Sequence, residues 1–119
     1  MKFSIIIATL NNENTLEKNL ESIKFQSFKD YEIIVVDGGS KDKSLEIIEK
    51  FGFENIKIKT QKGKGIYNAF NEGIYSSKGE VIIILNADDY FSNLDALQVI
   101  EEQFQINQDL DLLMSNIKM

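Results

Sequence analysis

Three apolar runs of strand length dominate the sequence: FSIIIAT at 3–9, YEIIVVD at 31–37 and EVIIILNA at 80–87. Each is too short for a helix and rich in isoleucine or valine. Each is also continuously apolar rather than alternating, which describes a strand covered on both faces. Between them the period changes. Asn14 offers an N-cap with Glu17 as the reciprocal member of a capping box, and Leu16, Leu20, Ile23 and Phe28 then fall on one helical face. Residues 42–51 form a second helix with Leu45, Ile48 and Phe51 inward, stopped at Gly52. ENIKIKT at 54–60 alternates apolar and charged residues, as an edge strand does.

After the loop QKGKG, the residues Ile66, Phe70 and Ile74 recur at helical spacing and mark a third helix. Asn93 caps a fourth helix running to residue 106, and DLDLLMSNI at 109–117 reads as a last strand. The run at 80–87 is the most apolar and is expected at the centre of the sheet. Strand–helix alternation repeated in this way predicts an α/β fold: a mostly parallel sheet with helices on both faces. A length of 119 residues, 43% of them hydrophobic, suits a single domain over 1–119. In such sheets ligands bind beyond the carboxyl ends of the strands, near a switch in strand order. Four clusters then share one rim: Thr9 to Glu13, Asp37 to Ser40, Gln61 to Gly65, and Asn86 to Asp89.

Composition narrows the chemistry at that rim. The chain has no cysteine, which excludes disulfides and thiolate metal sites, and no histidine, the commonest zinc ligand. A metal held here is held by oxygen, which means magnesium, manganese or calcium. All thirteen basic residues are lysines spread along the chain, and the net charge is −6, which argues against a nucleic-acid surface. No run has the length of a transmembrane helix, and the apolar amino-terminal stretch lacks the small-residue cleavage pattern of a signal peptide.

Each polar cluster has a plain reading and a functional one. Asp37 ends a strand before Gly38-Gly39-Ser40, as a simple turn does, or it accepts hydrogen bonds from a ribose hydroxyl or a base N–H. Asp88 and Asp89 are either solvated turn residues or a delivered pair whose repulsion a divalent ion removes. Lys62 and Lys64 lie before a helix amino terminus, either as a solvated loop or as part of an anion site. The loop is not a P-loop, because the GxxxxGK[ST] pattern is missing.

Taken together, three stretches resemble the inverting glycosyltransferases of family 2, with the GT-A fold. They are FSIIIATLNNENTLEKNLESIKFQSFKDYEIIVVDGGSKDKS, GKGIYNAFNEGI and KGEVIIILNADDYF, in the family's order and spacing over residues 3–91. The VDGGS and GIYNAFNEGI forms look like the subgroup that builds bacterial exopolysaccharide and lipopolysaccharide. The resemblance implies transfer of a sugar from a nucleotide-diphosphate donor, often UDP-linked, to a glycan or lipid-linked acceptor, with a divalent metal, Mn or Mg. It implies nucleotide contacts at Ala8, Thr9, Leu10, Asn11, Glu13, Asp37 and Gly38, at Lys64, and at Asn86 and Ala87. NADD would correspond to the family's aspartate-x-aspartate motif, with Asp88 and Asp89 as the metal residues. It also implies a cytoplasmic protein, peripheral to the inner face of the membrane.

The sequence departs from the family pattern in several places. Leu10 stands where an aromatic usually lies, Gly38 where a second aspartate often follows, and Phe70 where an arginine is common. Pyrophosphate contact then falls to Lys64 or Lys62. Family members usually continue further, and no residue after Asp89 matches the carboxylate that deprotonates the acceptor. The expectation is therefore a donor-binding half without the acceptor half or the general base. Its last strand would leave an apolar edge prone to homo-oligomer formation.

Three other classes compete. A phosphoacceptor receiver domain needs its acidic pair after the first strand, where Asn11 and Asn12 stand. A nucleotidyltransferase needs a glycine-rich, arginine-containing amino-terminal loop. A nucleotide-binding module without catalysis is separated from an enzyme by sugar transfer from a labelled donor.

Overall fold

A computed structural model describes residues 2–106. Its elements alternate strictly: β1 (Phe3–Thr9), α1 (Leu16–Lys24), β2 (Tyr31–Asp37), α2 (Ser44–Lys50), β3 (Ile56–Thr60), α3 (Ile66–Tyr75), β4 (Val81–Ile84) and α4 (Ala96–Ile106). All strand pairs are parallel, in the order β3-β2-β1-β4. The chain steps outward from β1 to β2 to β3, then returns to place β4 on the far side of β1. The strand order therefore switches between β1 and β4.

The sheet divides its side chains by parity. Phe3, Ile5, Ile7, Ile33 and Val35 join one core with Leu16, Leu20, Ile23, Ile48, Leu97 and Phe104, so α1, α2 and α4 cover that face. Ile6, Ile34 and Val36 pack with Ala69 of α3 on the other. Full burial of each such isoleucine stabilises the fold by about 1.5–3 kcal/mol relative to leaving it exposed. α3 approaches the sheet very closely: a Cβ on the buried Gly73 would lie 2.4 Å from Ile6 Cγ2. Among the described residues no helix is long and apolar enough to cross a membrane.

The structure corrects several expectations. β4 is four residues long and, among the described residues, lies at one end of the sheet; β1 and β2 are central. The Asn14–Glu17 capping box does not form. α1 starts one residue later, with Thr15 at the N-cap and no side-chain cap bond. The reason is a turn in which both Thr15 N and Leu16 N donate to Asn12 O. Phe28 lies beyond the end of α1 and meets Phe3 edge-on, with ring centroids 5.3 Å apart. α2 begins at Ser44 rather than 42, and Gly52 follows its end with φ 63° as expected of a stop. Of the residues at helical spacing in α3, Phe70 is buried and Ile66 is 48% exposed. The strand expected at 109–117, and self-association through it, lie outside the described residues.

Candidate functional site

Because the sheet is parallel, all four strands end at one rim. Thr9 pairs with Asp37, and Asp37 with Thr60, so these ends are level. At the switch between β1 and β4 the rim opens into a hollow of about 310 Å³. Ala8, Thr9 and Leu10 line it from the end of β1, and Asn86, Ala87 and Asp88 from the segment after β4. The third wall is the amino-terminal turn of α3, with Gly65, Ile66 and Ala69. Six of the twelve positions expected at the site thus meet in one place, at the crevice where open parallel sheets bind ligands.

The other predicted residues lie elsewhere. Asn11, at φ 54°, accepts from Lys41 N through its side chain, while its own N–H donates to Ser40 Oγ. Glu13 accepts from Lys43 N, and its N–H donates to Asp42 Oδ2. These bonds zip the β1–α1 loop to the β2–α2 loop. Asp37 is 4% exposed, and its carboxylate accepts from Gly39 N, Ser40 N and Ser40 Oγ, the last at 2.5 Å. All these donors belong to its own turn, as the plain reading anticipates. Asp37 and Gly38 do not line the hollow, and neither does Lys64 or Asp89.

The lysine loop is braced rather than loose. Gln61 Nε2 donates to Gly65 O and to Asn68 Oδ1. Glu72 accepts from Gly63 N and Lys62 N, and these two donors are the main reason its carboxyl lies below the usual range. Gly65, at φ 88°, turns the chain into α3, whose first turn carries no side-chain cap and no acidic residue. The positive end of that helix faces the rim and favours an anion.

Asn12, Gln61 and Gly65, expected on the rim but given no role there, also line the hollow, and Ile66 and Ala69 are lining residues that the sequence reading missed. Asn12 Oδ1 accepts from Thr9 Oγ1 and Leu10 N, fixing the end of β1. The readable signal was Gly65 before a helix that lacks an acidic first turn.

After β4, Asp88 is exposed at the hollow while Asp89 is half-buried, with its N–H donating to Asn86 O. One carboxylate, not two, is delivered to the hollow. Asn86 adds a buried amide oxygen that meets no donor. Leaving such an atom unpaired costs about 1–3 kcal/mol. Among the described residues no three acidic groups cluster as a metal cage. The donor set fits a hard divalent ion held by one carboxylate, with its remaining positions left to phosphate oxygens and water.

The comparisons with known proteins agree with this geometry. The chain is 46% identical over 94 residues to a Methanococcus voltae dolichyl N-acetyl-alpha-D-glucosaminyl phosphate 3-beta-D-2,3-diacetamido-2,3-dideoxy-beta-D-glucuronosyltransferase, covering 73% of this chain and 29% of that protein. It is 34% identical over 120 residues to a PGL/p-HBAD biosynthesis glycosyltransferase of Mycobacterium bovis, covering 98% of this chain and 47% of that one. The chain therefore spans less than half the length of these curated relatives. Among solved structures it is similar to S. aureus TarS 1-349 in complex with UDP-GlcNAc, with a TM-score of 0.79 and 30% identity over 91% of this chain and 32% of that one. The sequence profile described as glycosyl transferase family 2 matches residues 4–113. The parallel α/β sheet is the GT-A arrangement, and the chain belongs to glycosyl transferase family 2.

Proposed function

We propose that this chain binds a nucleotide-diphosphate sugar, UDP-linked, in the hollow between β1 and β4. In this reading it is the donor-binding part of a hexosyltransferase that transfers the sugar with inversion to a glycan or lipid-linked acceptor. The observation that carries the reading is the convergence of the β1 end, the uncapped start of α3 and Asp88 on one hollow at the strand-order switch. UDP-GlcNAc bound to the similar TarS supports a uridine donor.

Roles follow from the walls. Leu10 and Ile66, 55% and 48% exposed, present apolar surface to the flat base from two sides of the hollow. The N–H groups at the start of α3 favour the diphosphate, with Lys64 or Lys62 close in sequence. Asp88 would hold the divalent ion, Mn or Mg; when bound, that ion neutralises charge developing on the leaving diphosphate. In the displacement the acceptor hydroxyl oxygen bonds to the anomeric carbon. The bond to the diphosphate oxygen breaks with its electron pair, and the hydroxyl proton passes to a base. The pairing of a soluble donor with a lipid-linked acceptor suits a cytoplasmic protein peripheral to a membrane.

A second reading, nucleotide binding without transfer, is favoured by one fact. Among the described residues Asp88 is the sole carboxylate lining the hollow, so no second one is present there to take the proton. Transfer of labelled sugar separates the two readings. The site itself is tested by thermal-shift titration with UDP, GDP and their sugars, with and without manganese. UDP with manganese at a hundred times its dissociation constant should add about 2.7 kcal/mol of stability. No shift with any nucleotide, or a metal-dependent shift that survives Asp88→Ala, overturns the assignment.

A further inference from the structure

The segment that carries Asp88 has no regular secondary structure from Leu85 to Asp95, so its backbone groups need partners from elsewhere. Many of them come from one stripe along α1 and its two flanks. Thr15, Asn19, Ser22 and Gln26 follow at spacings of four, three and four, which is one helical face. Thr15 Oγ1 donates to Ala87 O at 3.0 Å. Asn19 Nδ2 donates to both Asn86 O and Asp89 O at 2.9 Å. Ser22 Oγ accepts from Phe91 N at 3.0 Å. Gln26 Nε2 donates to Asn93 O at 2.7 Å, and its Oε1 accepts from Leu97 N at 3.0 Å.

The stripe divides in two. Its lower half, Ser22 and Gln26, ties the segment to the start of α4. Its upper half, Thr15 and Asn19, grips the carbonyls of residues 86, 87 and 89, on both sides of Asp88. Asn19 is fully buried, and its own amide oxygen meets no donor. A leucine there would remove that oxygen but leave Asn86 O and Asp89 O without the donor that Asn19 Nδ2 supplies, so what the asparagine contributes is its hold on the backbone around Asp88. Flipping the amide would aim its oxygen at two carbonyls, so the observed orientation is fixed.

We infer that Asn19, assisted by Thr15, is a positioning residue for Asp88: the side chain of α1 sets where the carboxylate stands relative to the hollow. The inference rests on the proposed role of Asp88 in metal-dependent nucleotide binding. It reaches beyond the rim to a helix that contributes no side chain to the lining of the hollow.

The experiment compares Asn19→Leu with Gln26→Leu in the full chain. UDP affinity is measured with manganese and with EDTA, and amide hydrogen exchange is followed at Asp88 and Asp89 without ligand. Asn19→Leu should weaken UDP binding in manganese about tenfold or more, as loss of a supporting contact behind a metal ligand does, and leave binding in EDTA unchanged. It should also speed exchange at Asp88 and Asp89. Gln26→Leu should lower the melting temperature while leaving the manganese enhancement as it is. Should Asn19→Leu not fold, Thr15→Val, which removes one donor at equal volume, gives the same pattern in weaker form. A folded Asn19→Leu protein with the enhancement intact, or equal losses in both variants, overturns the inference. If the unmodified chain shows no manganese-dependent binding, the functional reading falls separately. Unchanged exchange at Asp88 and Asp89 in Asn19→Leu then sinks the positioning role as well.

Discussion

The two rims of the sheet treat polar groups in opposite ways. At the amino rim Ser4 and Glu32 sit side by side on β1 and β2. Ser4 Oγ donates to Glu32 Oε2 at 2.5 Å, Lys78 N donates to the same oxygen at 2.6 Å, and Gly79 N donates to Ser4 Oγ at 2.7 Å. Glu32 is 1% exposed. Burial alone pushes its carboxyl up, but donation from Ser4 and from Lys78 N, the nearby Lys57 ammonium and Gly79 N together outweigh burial and hold it below the usual range. At the carboxyl rim Asp88 is exposed, Asn86 keeps an unpaired amide oxygen, and the start of α3 is uncapped. The closed rim ties its polar groups into the fold, while at the hollow the open rim leaves Asp88 and the first N–H groups of α3 uncommitted. One sheet thus separates the closed polar network from the proposed binding rim by some seven residues of strand.

The largest expected effect lies at the closed rim. A Cβ on Gly79 would come within 2.7 Å of the backbone at Phe3 and Ser4, so Gly79→Ala should cost about 2–3 kcal/mol by urea denaturation while sparing nucleotide binding per folded molecule. Lost affinity at unchanged stability would break the contrast. Glu32→Gln should cost about 2 kcal/mol, since hydrogen bonds to a charged acceptor are exchanged for weaker ones and a new donor is buried.

The pH dependence sharpens the same point. A folded-state pKa below the unfolded one gives stability that is present above the unfolded value and is lost as pH falls through the folded one. The urea midpoint should therefore drop on acidification below the ordinary glutamate range, and Glu32→Gln should flatten that part of the drop. A parallel fall in both proteins assigns the acid sensitivity to other groups. The smallest effect belongs to the open rim: Asp88→Asn should change stability by less than about 0.5 kcal/mol, because the side chain is exposed. A larger change would mean that Asp88 belongs to the scaffold.

Period and punctuation made β1, β2, β3 and the shared rim readable in advance. Among the described residues β4 has a strand on one side only, and its apolarity has another physical reason. Val81 and Ile83 are apolar because helices cover them, along with Leu85 and Ala87. Apolarity reports cover by helices rather than the number of strands on either side. The same limit applies to α3, where helical spacing marks the helix but not that its first turn overhangs the rim, so that Ile66 lines the hollow. The turn role of Asp37 is legible in Gly38-Gly39-Ser40, but the pairing of Asn11 and Glu13 with residues 40–43 spans about thirty positions and leaves no local pattern. The stripe on α1 has a regular spacing, but its partners are backbone atoms, which carry no sequence signature.

The close seat of α3 has a consequence for the hollow. Gly73 lets the helix rest against Ile6, and the same rigid helix, two turns earlier, forms the wall that faces Ala8 and Thr9. A single absent methyl group near the foot of the helix thus sets the gauge of the mouth at its head.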